Sequence, residues 1–281
     1  MHIYNNKTDL NLYLSSISTE KSTIGFVPTM GALHFGHLSL LKKSVQNNTI
    51  TVISIFVNPT QFNNADDLEK YPRTLESDVE KIQSVNENII IYTPSVTDIY
   101  DANVKSESFS FDGLEHQMEG KFRLGHFNGV GTVVKRLFEI INPTNAYFGE
   151  KDFQQLQIVN KLVENYKIPV KIIGCEIFRE DNGLAMSSRN ERLSQENRQE
   201  AAIIYKTLIE AKANFKIKSI TQVLKNVIQT FKKHPKFELE YFTIADEATL
   251  ETCQRKSKNK KYRGFIAVII DSVRLIDTIS F

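Results

Sequence analysis

Apolar positions along the chain recur with two different periods. Ile24–Val27 reads as a strand, and Thr51–Val57 is a β-branched, nearly continuous apolar run. A run of that kind is expected of a strand buried on both faces. Between and after them the period lengthens. His37–Val45 reads as a helix, as does Leu75–Val85, which sets Leu75, Val79 and Ile82 on one side. Ile89–Tyr92 is again a strand, Gly129–Ile141 a helix and Ala146–Phe148 a short strand. Gln154–Tyr166 carries Leu156, Val159, Leu162 and Val163 as a helical stripe, and Val170–Ile173 follows as a strand. This β-α-β-α rhythm predicts an α/β fold with a parallel sheet covered by helices. After about Ile177 the order changes. Helices at Glu196–Ala213 and Ile220–Lys233 precede strands at Leu239–Ile244, Phe265–Ile270 and Val273–Ile276. The sequence is therefore expected to divide into a domain at 1–177 and a smaller α+β domain at 178–281, with a linker near Phe178–Asn190. The lysine-rich run Arg255–Arg263 lacks apolar periodicity and reads as a solvated loop.

Composition narrows the function classes. With 281 residues the chain is too long for one small core, and 41% hydrophobic with 24% charged residues is ordinary for a globular protein. A formal net charge of +2 gives no electrostatic argument for nucleic acid or an anionic membrane, so any basic function must come from a few placed residues. Cys175 and Cys253 have neither metal spacing nor a partner framework and fit a reducing, cytoplasmic setting. Met1–Leu14 lacks the charged and apolar regions of a signal peptide, and no apolar stretch approaches the ~20 residues of a membrane span.

The most informative stretch is Phe26–Leu41, FVPTMGALHFGHLSLL. A strand ends near Pro28, Gly31 and Gly36 permit tight turning and close approach to a ligand, and His34 and His37 lie at the start of the next helix. Unpaired backbone N–H groups and the helix dipole suit phosphate there, and the histidines can add hydrogen bonds as charge grows in a transition state. The competing structural explanation is a pair of packed histidines at a strand–helix corner. Without a carboxylate the motif is not a zinc-protease pattern.

Three further stretches carry candidate chemistry. In SIFVNPTQF, Asn58-Pro59 ends the buried strand in a turn, and Gln61 follows as either a loop residue or a polar ligand contact. In YPRTLESD, Asp78 is a helix-face charge or a magnesium neighbour. In AYFGEKDFQQL, Gly149 follows a strand, Lys151 can reach a phosphate as a point charge, and Asp152 can cap a helix or bind ribose or metal. Gln154 and Gln155 begin the following helix, where only one of two neighbours readily faces a given cleft. In GLAMSSRNERL, hydroxyls and an arginine suit a mobile phosphate clamp or, equally, a helix-capping loop between domains.

His34-Phe35-Gly36-His37 is similar to the His-x-Gly-His signature of the nucleotidyl-transferring α/β superfamily, which implies a Rossmann-like first domain and attack on the α-phosphate of ATP. The four blocks together, from about Ile24 to Arg192, resemble the pantothenate synthetase (pantoate–β-alanine ligase) family. That resemblance implies an ATP site lined by Met30, Gly31, Ala32, Leu33, His34, Phe35, Gly36 and His37, with His37 as proton donor and His34 and Lys151 as further catalytic groups. It also implies ATP contacts from Gly149, Glu150, Lys151 and Asp152, from Phe178, and from Met186, Ser187, Ser188 and Arg189. Gln61 and Gln155 would hold pantoate, with Gln61 bordering the β-alanine site, and Asp78 would neighbour Mg²⁺. A cytoplasmic homodimer making pantothenate through a pantoyl adenylate is expected from the same likeness, with the second domain closing over the site. The rivals are another adenylyltransferase of the superfamily and a non-catalytic nucleotide-binding regulator. Two positions depart from the family's Arg-Pro-Gly-His-Phe-Arg: Leu124 replaces the proline, removing a constraint on the turn, and Asn128 replaces the arginine.

Overall fold

The computed structural model describes residues 2–281. The chain divides into two compact units, Met1–Gly149 with Gln155–Cys175, and Glu150–Gln154 with Glu176–Phe281. The first unit runs β1 (His2–Tyr4), α1 (Lys7–Ile17), β2 (Ile24–Thr29), α2 (Phe35–Asn47), β3 (Ile50–Ile55), α3 (Ala65–Glu69), α4 (Leu75–Val85) and β4 (Ile90–Tyr92). It continues with α5 (Val96–Tyr100), α6 (Met118–Phe122), α7 (His126–Ile141), β5 (Asn145–Gly149), most of α8 (Phe153–Tyr166) and β6 (Lys171–Cys175).

Its six strands are all parallel, in the order β1-β4-β3-β2-β5-β6. From β2 the chain builds outward through β3 and β4, then returns to add β5 and β6 on the other side. The neighbouring carboxyl ends of β2 and β5 thus form the switch point at which such sheets bind ligands. Burial on both faces explains the unbroken apolar runs. Val27 joins a core with Leu38, Leu41, Ile53, Ile82 and Ile91, whereas its neighbour Phe26 meets Phe138 of α7 edge-on at 6.2 Å.

The parallel α/β sheet agrees with the sequence pattern, and the departures have local causes. β1 and α1 were not anticipated: β1 is only three residues, and α1 buries just Leu10 and Leu14, capped by Asn6. α7 starts at His126 rather than Gly129, because glycines inside the helix mask its periodicity.

The second unit contains α9 (Gln195–Glu200), α10 (Ala202–Ile217), α11 (Ile220–Lys232), β7 (Glu238–Asp246), β8 (Tyr262–Ile270) and β9 (Val273–Ser280). The single helix expected at 196–213 is two, separated at the fully buried Ala201. Ser219 caps α11, whose buried stripe Ile220, Val223, Val227 and Phe231 packs with Ile244 and Ile266 of the antiparallel β7-β8-β9 sheet. Asp271 and Ser272 join β8 to β9 with φ of +48° and +61°, the left-handed pair of a two-residue hairpin. The lysine-rich run is exposed from Arg255 to Lys261, but Tyr262 and Arg263 are buried in β8. No helix of the described residues is long and apolar enough to cross a membrane.

Candidate active site

β2 ends at Thr29, and the chain reverses through Gly31 (φ +85°) and Ala32 (φ +51°) before α2 begins at Phe35. A positive φ at alanine is unusual, and it marks a turn held from outside. The holder is Asp78 of α4, fully buried, with Oδ2 accepting from the Ala32 N–H at 2.9 Å and Oδ1 from the Leu33 N–H at 2.7 Å.

The two histidines cap α2 reciprocally. His34 Nδ1 accepts from the Gly36 N–H at 3.1 Å, and His37 Nδ1 accepts from the His34 N–H at 3.4 Å. Their rings stack with centroids 4.0 Å apart. An Nδ1 that accepts a backbone hydrogen cannot carry its own, so each neutral ring holds its hydrogen on Nε2. Both therefore present an Nε2–H donor at the first turn of a helix that carries no acidic residue there. The chemistry suits phosphate oxygens.

Gln61 closes a one-turn 3₁₀ helix, Pro59–Gln61, and is buried. Its Oε1 accepts from Asn58 Nδ2 at 3.1 Å, and its Nε2 donates to Met30 Sδ at 3.2 Å. Thioether sulfur is a weak acceptor, so a ligand oxygen is a better partner for that amide. Asn58, itself buried, also donates to the Gly129 carbonyl at 3.2 Å and accepts from the Tyr100 hydroxyl at 2.6 Å. Burial pushes the Tyr100 phenol above its usual pKa, which keeps it a donor. His126 Nδ1 lies 2.9 Å from the Gln61 carbonyl oxygen. Asn58, Tyr100 and His126 support Gln61 without having been assigned this role by sequence. Of the three, only Asn58 lies close enough in the chain to have signalled it, three residues before Gln61.

The Leu124–Asn128 departure is held by other means. The Leu124 carbonyl accepts from Asn63 Nδ2 at 2.6 Å, Gly125 turns at φ +77°, and Asn128 Oδ1 accepts from the Phe109 N–H at 3.1 Å. Asn128 thus serves the local fold with no need of a charge.

Gly149 ends β5, and on α8 Gln155 of the first unit is half-buried. Gln154 is buried and belongs to the second unit. In the second unit, Glu150–Asp152 is a single 3₁₀ turn, with Lys151 Nζ 3.6 Å from Asp152 Oδ2. Buried Arg263 anchors this turn. Its guanidinium meets Glu150 at 3.3 Å and Glu247 at 3.0 Å and lies 3.8 Å from the Phe153 ring centre.

The segment expected as a linker is a hairpin. Arg179 bridges to Ala185, the Met186 N–H reaches the Phe178 carbonyl at 3.0 Å, and Gly183 turns at φ +93°. Its base is pinned by a forked Arg179–Asp277 pair at 2.7 and 3.0 Å, with Arg179 stacked 3.6 Å over Tyr205. Fully buried Asn190 donates to Glu180 at 2.6 Å, and Glu180 also receives Arg198 at 2.8 Å. Ser187 caps the short 3₁₀ helix Ser188–Arg192, leaving Met186, Ser187, Ser188 and Arg189 half-exposed on this pinned frame.

Among the described residues no group of three or more histidine, cysteine, aspartate or glutamate side chains is arranged to hold a metal ion. Asp78 is a poor fit for Mg²⁺, because it is fully buried and each oxygen already accepts a backbone N–H.

The family described as Pantoate-beta-alanine ligase matches residues 2–280. A pantothenate synthetase of Flavobacterium psychrophilum is 64% identical over 280 residues, covering 100% of this chain and 99% of the relative. One from Christiangramia forsetii is 50% identical over the same coverage. Among solved structures, the pantothenate synthetase of Thermus thermophilus superposes with a TM-score of 0.90 at 35% identity, over 99% of each chain. The pantoate-beta-alanine ligase of Francisella tularensis, complexed with beta-gamma ATP and beta-alanine, gives 0.80 at 35% identity, covering 100% of this chain and 97% of that one.

Proposed function

The chain belongs to the pantoate–β-alanine ligase family and catalyses the ATP-dependent joining of those two substrates, and we propose that it does so in two steps through a pantoyl adenylate. The observation that carries this reading is the reciprocal His34–His37 cap, which places two Nε2–H donors at the first turn of α2, beyond the carboxyl end of β2.

In the first step a pantoate carboxylate oxygen attacks the α-phosphorus of ATP. The bond to the α,β-bridging oxygen breaks, and its electron pair leaves with pyrophosphate. His34 and His37 donate Nε2–H hydrogen bonds to the phosphate oxygens as negative charge builds, and His37 serves as a donor through that bond and keeps its single ring hydrogen. In the second step the β-alanine amine attacks the acyl carbon, AMP departs with the acyl–oxygen electron pair, and the amine releases its proton.

The remaining assignments are part of the same proposal. Met30, Gly31, Ala32, Leu33, Phe35 and Gly36 line the ATP site with the histidines. Lys151, flanked by Gly149, Glu150 and Asp152, serves ATP as a phosphate-directed charge, and Phe178, Met186, Ser187, Ser188 and Arg189 serve it too. Gln61 and Gln155 hold pantoate. Mg²⁺ enters with ATP, carried by its phosphates. A cytoplasmic homodimer is proposed from the family likeness.

Incubation with pantoate, β-alanine, ATP and Mg²⁺ is expected to yield pantothenate, AMP and pyrophosphate in equal amounts. ADP and phosphate as products would mean attack at the γ-phosphorus and would end the adenylate reading. The rival adenylyltransferase activity would consume ATP with a phosphorylated acceptor and ignore β-alanine.

Gln61→Ala is expected to raise the KM for pantoate by roughly two- to tenfold, the equivalent of one hydrogen bond of about 0.5–1.5 kcal/mol. It should leave the KM for ATP within twofold. Steady-state titration of each substrate separates the two, and equal weakening of both would remove Gln61 from the pantoate pocket.

A further inference from the structure

We propose that Asp78 and Lys81, on α4, are positioning residues for adenylation: they clasp the Gly31–Leu33 turn and through it hold the His34–His37 pair in register with the α-phosphate. This rests on the assignment of those histidines to ATP.

The clasp is built from both polar groups of one peptide segment. Asp78 takes the N–H groups of Ala32 and Leu33, one on each carboxylate oxygen, at 2.9 and 2.7 Å. Lys81 Nζ, one helical turn further along α4, donates to the Leu33 carbonyl at 2.8 Å. The carboxylate lies close beneath the turn, since a Cβ added at Gly31 would come within 3.2 Å of Asp78 Oδ2.

Three features indicate that this contact sets geometry rather than merely filling space. The clasped residues include Ala32 in the left-handed region, which persists only where the surroundings over-determine it. The next residue after the clasp is His34, whose own backbone N–H is the donor to His37. The carboxylate is a charge taken wholly out of water, a costly choice where a neutral residue would pack, and it is accommodated by charge-assisted bonds and by its place in the first turn of α4. With each oxygen already accepting an N–H, Asp78 is arranged to hold backbone and not to bind a cation.

The test uses full-length Asp78→Asn, Lys81→Met and His37→Ala, and the double variant Asp78→Asn/His37→Ala. Rapid-quench measurement of bound pantoyl adenylate, with ATP, Mg²⁺ and pantoate but no β-alanine, reads the affected step. Asp78→Asn puts an NH₂ group against a backbone N–H and is expected to slow adenylation roughly 10- to 30-fold, because misplaced reacting groups lose rate steeply. Lys81→Met keeps the carboxylate, so it guards against a folding failure of Asp78→Asn, and is expected to cost about three- to tenfold. The KM for ATP and the Mg²⁺ concentration for half-maximal rate should each stay within twofold. In the His37→Ala background, Asp78→Asn should cost clearly less than it does in the wild-type enzyme, because one of the two rings it positions is gone. Full additivity on His37→Ala would overturn the proposal, as would restoration of Asp78→Asn by excess Mg²⁺, or wild-type adenylation rates in folded Asp78→Asn and Lys81→Met. A silent His37→Ala would instead overturn the assignment of the histidines, and this inference with it.

Discussion

His37→Ala is expected to lower the single-turnover rate of adenylation by roughly 10²–10³-fold, the loss typical of one preorganised donor to developing oxyanion charge. The geometry explains why so much rests on one ring. His37 Nδ1 is committed to the backbone N–H of His34, so its Nε2–H orientation is fixed before ATP arrives and needs no reorganisation during the reaction. That bond strengthens as the phosphate oxygens gain charge, so the KM for ATP should move far less than the rate. His37→Asn separates capping from chemistry. A short amide can keep an acceptor near the His34 N–H but cannot reproduce the placement of Nε2, so it should recover stability and little of the rate. Thermal denaturation alongside rapid quench makes the comparison. If His37→Ala adenylates at the wild-type rate, the ring is a packing and capping group, and the phosphate donors lie elsewhere.

What could be read from the sequence was what lies close in the chain. The motif from Met30 to His37 is legible because its turn, cap and helix start are consecutive. Gln61 is legible because Asn58-Pro59 announces the turn that carries it. The supports of these groups are not local. Tyr100 reaches Asn58 across 42 residues, Asp78 reaches Leu33 across 45, and Arg263 reaches Glu150 across 113. Nothing in the periodicity around Asp78 distinguishes an exposed helix charge from one turned fully inward, since Val79 and Ile82 nearby fit both. The parallel sheet was readable because strands buried on two faces are apolar throughout. β1 was not, because three residues make no period. The 178–190 segment read as a linker because the strand–helix rhythm changes there, yet Arg179–Asp277 and Glu180–Arg198 give it a frame that only tertiary pairing reveals.

Gly129→Ala is expected to reduce kcat/KM for pantoate by up to about tenfold, as much as loss of the Gln61 hydrogen bond itself, although an alanine inside a helix would ordinarily stabilise by ~1 kcal/mol. Gly129 lies where α7 crosses the turn carrying Gln61. A Cβ there would sit 2.5 Å from the Thr60 carbonyl oxygen and 2.7 Å from the Gln61 Cα. Both are main-chain atoms, so no rotamer change relieves the clash. The turn cannot easily retreat either. The Gln61 carbonyl is paired with His126, Thr60 Oγ1 lies 2.9 Å from the Tyr100 hydroxyl, and Asn58 is tied to the Gly129 carbonyl itself. Overpacking of this kind costs about 1–3 kcal/mol, which the helix gain partly offsets, so the melting temperature should fall by only a few degrees. Function is the more sensitive readout, because moving the Gln61 turn displaces the amide proposed to hold pantoate and, at the limit, forfeits that hydrogen bond. Gly131→Ala is the control. The atoms nearest its Cβ would be those of the Phe109 and Phe111 rings, at 3.0–3.1 Å. It should alter stability while leaving the pantoate KM unchanged. If Gly129→Ala instead raises the melting temperature and keeps the pantoate KM, α7 slides freely past the turn, and the close crossing has no part in placing Gln61.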